Sequence, residues 1–189
     1  MALDRTPLPF GLRDVKFKAY TDEAATTLDT TLVDLPNSRT LSFSETEDFE
    51  DLRGDDALQA SHGSGPNVEW ELEGGGVSLE AVALMYGGTV VTSGVAPNQV
   101  KTLTKRSGDV RPYFQIEGQS ISDSGGDVHI VIPRCKATGD LSGEFGDGKF
   151  FLTGASGAGY PSKVAADIDV DGSAIVWKIV DNETATAIA

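Results

Sequence analysis

Any chemistry in this chain must come from a small set of residues. Asp167, Asp169 and Asp171 alternate ahead of Gly172, which is how a calcium-binding loop of the EF-hand type begins. Such a loop needs a bidentate Glu at its twelfth position and a helix on either side. The twelfth position here is Lys178 and no helical pattern flanks the run, so a polar β-turn is the better reading. Cys135 is the only thiol, and His62 and His129 are the only imidazoles. A catalytic Cys–His pair must be close in space, and no local signature joins these residues. His129 falls in a strongly strand-like run, where a buried or interface imidazole is expected. No Gly-x-Ser-x-Gly elbow occurs. The run Gly154-Ala-Ser-Gly-Ala-Gly159 lacks the Lys-Ser/Thr ending of a phosphate loop and reads as a flexible turn. With 29 acidic residues, a pair of carboxylates can always be nominated as acid and base, so their number is no support for a glycosidase. Arg53-Gly54-Asp55 reads as a charged turn, not an integrin-recognition tripeptide. The sequon Asn182-Glu183-Thr184 matters only in a secretory pathway. The expectation is a protein that is not an enzyme and holds no cofactor or metal.

Composition narrows the class further. The chain has 189 residues, 39% of them hydrophobic, enough for one domain with a proper core. Fifteen basic against 29 acidic residues give a formal charge of −14. A chain this acidic should not wrap nucleic acid, because phosphate binding needs Lys and Arg to displace counterions. It can still pass nucleic acid without sticking to it. One cysteine rules out an intrachain disulfide framework. The first ten residues lack the apolar core of a signal peptide. The apolar stretch over 81–91 is broken by Gly87-Gly88 and is too short for a membrane span. Synthesis in a cytoplasm with no membrane partner is expected.

The elements that would position these residues are mostly strands. Residues 1–12, with Pro7, Pro9 and Gly11, read as an extended arm. Val15, Phe17 and Ala19 alternate with Lys16 and Lys18, the pattern of a half-buried strand. Residues 21–37 are polar and Thr-rich and read as a long loop or an extended hairpin. A strand starts near Thr40, with Leu41 and Phe43 on one face. The acidic run that follows turns at Gly54-Asp55. Val68, Trp70 and Leu72 alternate with Glu69, Glu71 and Glu73, the clearest strand signal in the chain. Residues 78–86 read as the one helix, with Ser78 as N-cap, Glu80 in the first turn and Gly87 as C-terminal cap. Strands are expected again at 100–103, 113–116 and 128–132, the last continuing through Cys135 and Ala137 with an edge or bulge at Pro133. A turn at Gly146-Asp147-Gly148 leads into 150–152. A final strand over 174–180 carries Trp177. Eight to ten strands and one short helix predict a mainly β protein, an antiparallel sandwich or barrel with a flanking helix. The 21–37 and 48–65 stretches lack a continuous apolar face. At least one of them is expected to be a flexible loop that orders only at a subunit interface.

Five segments carry a likeness to a known family: Leu8-Pro-Phe-Gly-Leu-Arg-Asp-Val-Lys16, Leu52-Arg-Gly-Asp-Asp56, Val68-Glu-Trp-Glu-Leu-Glu-Gly-Gly-Gly76 with Ser78-Leu-Glu-Ala81, Arg111-Pro-Tyr-Phe-Gln-Ile-Glu-Gly118, and Arg134-Cys-Lys-Ala-Thr-Gly139 through Gly143-Glu-Phe-Gly-Asp-Gly148. Together they resemble the major tail tube proteins of long, non-contractile-tailed (siphovirus-type) bacteriophages, particularly those of actinobacterial hosts. The likeness spans residues 7–159 and leaves the C-terminal segment 161–189 without a counterpart. It implies a β-sandwich subunit, with one helix at its side, that assembles into stacked, usually hexameric rings. A long loop or hairpin would reach the adjacent ring. Implied partners are the chain itself, the tape-measure protein in the lumen, and the tail terminator and distal tail proteins. Double-stranded DNA would pass through without specific binding, and the protein would reside in the virion tail. The competing reading is a carbohydrate- or receptor-binding β-sandwich module of a virion, which calls for exposed aromatic residues on loops. Only Tyr20 and Tyr160 are candidates for that.

Two sets of residues are expected to matter for assembly. Glu69, Glu71 and Glu73 form an acidic face that looks away from the core, toward a lumen or a subunit junction. Lys101, Lys105, Arg106 and Arg111 form the main basic cluster. Its expected mates across subunits are Glu45, Glu47, Glu50, Asp55 and Asp56.

Overall fold

The computed structural model describes residues 5–54, 56–142, 147–148 and 152–188. Val15 and Phe17 are fully buried on strand β1 (Asp14–Tyr20), as their alternation with lysines requires. Strand β2 (Leu28–Asp34) folds back antiparallel on β1, so residues 21–37 take the hairpin form. Strands β3 (Ser38–Gly54) and β4 (Ala57–Gly75) pair along their whole length. Helix α1 (Leu79–Tyr86) follows β4. Ser78 Oγ accepts from the Ala81 amide at its start, and the Gly87 amide donates to Ala83 O at its end, where Gly87 takes φ 79°. Strands β5 (Thr89–Ser93) and β6 (Val100–Thr104) make a separate two-stranded sheet beside α1. Strands β7 (Phe114–Ile121), β8 (Asp127–Ala137), β9 (Leu152–Tyr160) and β10 (Lys178–Asn182) complete the main sheet.

That sheet runs β2-β1-β7-β8-β9-β4-β3 with every pair antiparallel, so β1, β8 and β4 point the same way. One edge of β8 is shared. Residues 127–131 pair with β10 and residues 134–137 with β9. Pro133 falls in the gap between these partners, where its missing N–H breaks no ladder bond. The β7 register also slips there, from Phe114 opposite Cys135 to Ile116 opposite Ile132, which is the bulge expected at this proline. The sheet curls enough for Leu41 of β3 to lie against Gly118 of β7. Within the curl, Val68, Trp70, Leu72, Phe114, Ile116 and Ile132 pack beneath α1, which contributes Ala81, Val82 and Met85. Phe114 holds Phe17 and Trp70 edge to face at 5.9 and 5.8 Å between ring centres. The fold is mainly β, antiparallel and sandwich-like, with one helix and a long hairpin.

Four expectations are corrected. Gly154–Gly159 is not a flexible turn but the interior of β9, laddered to β4 throughout and to β8 from Gly157 onward. Its small residues are a packing requirement. A Cβ on Gly157 would meet Trp70 and the Lys136 carbonyl, and one on Gly159 would crowd Val68 and Ile132. Residues 48–65 are not a loop but the outer half of the β3–β4 hairpin, held by cross-strand pairing without burial. The last strand starts at Lys178, one residue past Trp177, so the expected 174–180 strand is displaced toward the C-terminus. Strand β5 has no expected counterpart: its Val90-Val91 lie at the end of the apolar stretch over 81–91, past the Gly87-Gly88 break. In the expected turn, Asp147 and Gly148 are turn residues, and Gly146 with 149–151 lies outside the described residues.

The arm at the N-terminus is pinned along the β7–β8 turn. The Phe10 amide donates to Ile121 O, the Asp123 amide donates to Leu8 O, and Arg5 pairs with Asp181 of β10 at 2.6 Å.

Candidate functional site

The acidic row stands where its alternation put it. Val68, Trp70 and Leu72 are at most 2% exposed, while Glu69 and Glu71 are exposed and Glu73 is partly covered. Glu71 lies between Ser42 and Ser156 in the ladder, and Glu69 between Ser44 and Ala158. These side chains border an open concavity of about 450 Å³ on the outer sheet face. Glu73 pairs with Arg39 at 3.0 Å, with both side chains largely in solvent. Like charges two residues apart on one face repel, and only Glu73 has a cation beside it among the described residues.

Beyond Thr46 and Asn67 the hairpin pairs only with itself, and nearly every residue is exposed on both faces. Phe49, Leu52 and Leu58 are 64, 65 and 55% exposed. Glu47 accepts from the Gly65 amide at 3.2 Å, and Glu50 lies across from His62. Asp56 occupies the tip with φ 61°, whereas Asp55 lies outside the described residues. Glu45 sits at the hairpin base and accepts from Trp177 Nε1, and the Trp177 ring packs on Phe43 at 5.7 Å.

The basic residues are largely spent inside the chain, which the sequence did not show. Lys101 pairs with Glu80 of α1, whose carboxyl this lysine's hydrogen bond holds below the usual range. Lys105 donates from Nζ to Tyr86 O at the C-terminus of α1, where a cation complements the helix dipole. Arg111 donates to Ala137 O and Gly139 O at 2.9 and 2.8 Å and stacks 4.9 Å from the centre of the Tyr86 ring. Of the four, only Arg106 keeps a guanidinium without a protein partner among the described residues. Its backbone amide bonds Asp109.

Sequence reasoning missed a polar cluster on the outer face of β7 and β8. His129 is 5% exposed, with Nδ1 2.8 Å from Glu117 and Nε2 3.0 Å from Asp127. Burial opposes its charged form, but the two carboxylates outweigh that and raise its pKa. Asp127 is fully buried, which alone would raise its pKa. Bonds from Gln119, His129, the Thr186 amide and Asn182 overcome this and hold it well below the usual range. The cluster clasps the C-terminal segment, since Gln119 also donates to Thr186 O at 2.9 Å. Both ring nitrogens of His129 are committed to carboxylates, so the imidazole has none to offer a substrate. Cys135 faces the opposite, core side of β8, fully buried, and burial pushes its thiol pKa up. The two do not form a nucleophile–base pair.

The Asp167–Asp171 run is the polar turn anticipated. Gly172 N donates to Asp169 O, Asp169 N donates to Ser173 O, and Asp171 accepts from the Ser173 amide. Among the described residues no three His, Cys, Asp or Glu side chains converge to hold a metal ion. No helix among them is long and apolar enough to cross a membrane. No protein-family model matches this chain, and no curated protein matches it.

Proposed function

We propose that this chain is the repeating subunit of a self-assembling tube, the role of the siphovirus-type major tail proteins that its sequence resembles. The observation that carries the reading is the outer half of the β3–β4 hairpin. A two-stranded ribbon solvated on both faces is marginal in water, and this one exposes Phe49, Leu52 and Leu58. A neighbouring subunit supplies the missing burial. Among the described residues the seven-strand path of the sheet ends on β2 and β3, each paired on one side only, and lone edges invite pairing with another chain. Ring closure satisfies them. The Glu69, Glu71 and Glu73 face then suits the wall of a conduit, because carboxylates repel phosphate and leave DNA free to pass. The tape-measure protein, the tail terminator and the distal tail proteins are the other partners this role implies. The role is structural, in a virion tail assembled in the host cytoplasm, and involves no cofactor.

The test is negative-stain microscopy and light scattering on the concentrated protein, alone and seeded with tail-initiator proteins. Rings or hollow tubes of uniform diameter are expected. A stable monomer under both conditions that binds glycans would overturn the reading in favour of a carbohydrate- or receptor-binding module.

A further inference from the structure

At the end of the sheet where β1 finishes and β7 begins, a concavity of about 610 Å³ opens between the 20–23 and 110–113 segments. Its apolar wall includes Val110, 81% exposed, and Tyr113. Lys136 sits 4.8 Å from the centre of the Tyr113 ring, and Arg106 occupies the turn leading into Val110. Neither cation pairs with a carboxylate among the described residues. The hairpin has the complementary character, with exposed Phe49 among Glu47, Asp48, Glu50 and Asp51.

The two features cannot meet within one chain. Lys136 lies level with Glu69 across β9, whereas Phe49 stands opposite Gly63, six residues and roughly 20 Å away along β4 at about 3.3 Å per residue. The hairpin points the other way. Two different surfaces at opposite ends of a subunit make a heterologous contact, which propagates from copy to copy and does not close on itself as a dimer.

We propose that the hairpin of one copy docks head to tail into this concavity of a second copy. Phe49 seats against Val110 and Tyr113, and the hairpin acids face Lys136 and Arg106. The concavity also carries Asp22 and Glu23. Asp22 is taken up by Thr26, whose amide donates to it at 2.8 Å. Glu23 faces the cation of the hairpin, Arg53. The inference rests on the tube-subunit reading and names the surface that receives the hairpin.

The experiment is disulfide trapping in the full chain with Phe49→Cys and Val110→Cys. Cys135 is fully buried and stays out of the reaction. Under mild oxidation the double variant is expected to give a ladder of covalent multimers on a non-reducing gel, and each single variant none beyond a dimer. Lys136→Glu is expected to weaken assembly severalfold, with recovery on adding Glu50→Lys. Tubes that form normally while the double variant traps no more than the singles overturn the contact and leave the tube reading standing. A wild-type protein that never assembles overturns both.

Discussion

Gly157→Ala separates a structural β9 from a pliable glycine loop. A methyl built on Gly157 would lie 2.1 Å from the carbonyl oxygen of Lys136, 2.9 Å from Cα of Ala137 and 2.6 Å from Cζ2 of Trp70. Two of these neighbours are backbone of the paired strand, and the third is an indole anchored by its Nε1 bond to Ala158 O at 3.2 Å. None is the loose end of a flexible side chain. Overpacking of a close-packed core costs about 1–3 kcal/mol. Displacement of backbone puts this site at the upper end, about 3 kcal/mol. Gly154, on the outer face of the same strand, has nothing within 4 Å of such a methyl. Gly154→Ala should therefore be neutral or slightly stabilising, by under about 1 kcal/mol. The assay is urea unfolding of dilute protein followed by tryptophan fluorescence. With an m-value of about 2 kcal/mol/M, the Gly157→Ala midpoint should fall by about 1.5 M while Gly154→Ala stays near wild type. Equal midpoints for the two variants would refute the packing argument, since a solvated turn treats both glycines alike.

Three further outcomes are expected. Because the pKa of His129 is raised in the fold, its contribution is complete below its unfolded value and is lost as pH rises through the folded value. Urea midpoints of wild type should thus fall toward a His129→Gln variant as pH is raised above neutrality; a constant gap would sink this. Asp127→Ala leaves Gln119, Asn182 and the Thr186 amide without their acceptor and should cost about 3 kcal/mol. Hydrogen exchange at Thr186 should quicken, and unchanged protection would show that the C-terminal segment is held by something else. Arg106→Glu should leave the melting temperature unaltered, whereas Lys105→Glu should lower it by removing the cation at the end of α1; indistinguishable melting curves would contradict the different uses of these neighbours.

Local signals decided much of this protein without help from the fold. Val68, Trp70 and Leu72 had to share a face because a strand's side chains alternate, so Glu69, Glu71 and Glu73 had to look outward. Ser78 and Gly87 bounded α1 because helix ends need caps, and Pro133 demanded a gap in the ladder because it has no N–H to give. Gly154–Gly159 could not be read this way. Glycine and alanine carry no strand preference, and only the indole of Trp70 and the two flanking ladders make their smallness necessary. Asp127 shares a face with His129 by strand alternation, but the rest of the cluster was hidden, because Glu117 and Gln119 meet it through the β7–β8 register and Thr186 arrives from the far end of the chain. The same is true of the basic cluster. Charge is visible in a sequence, but whether Lys105 or Arg111 is free to meet a partner depends on which carbonyl the folded backbone sets beside it.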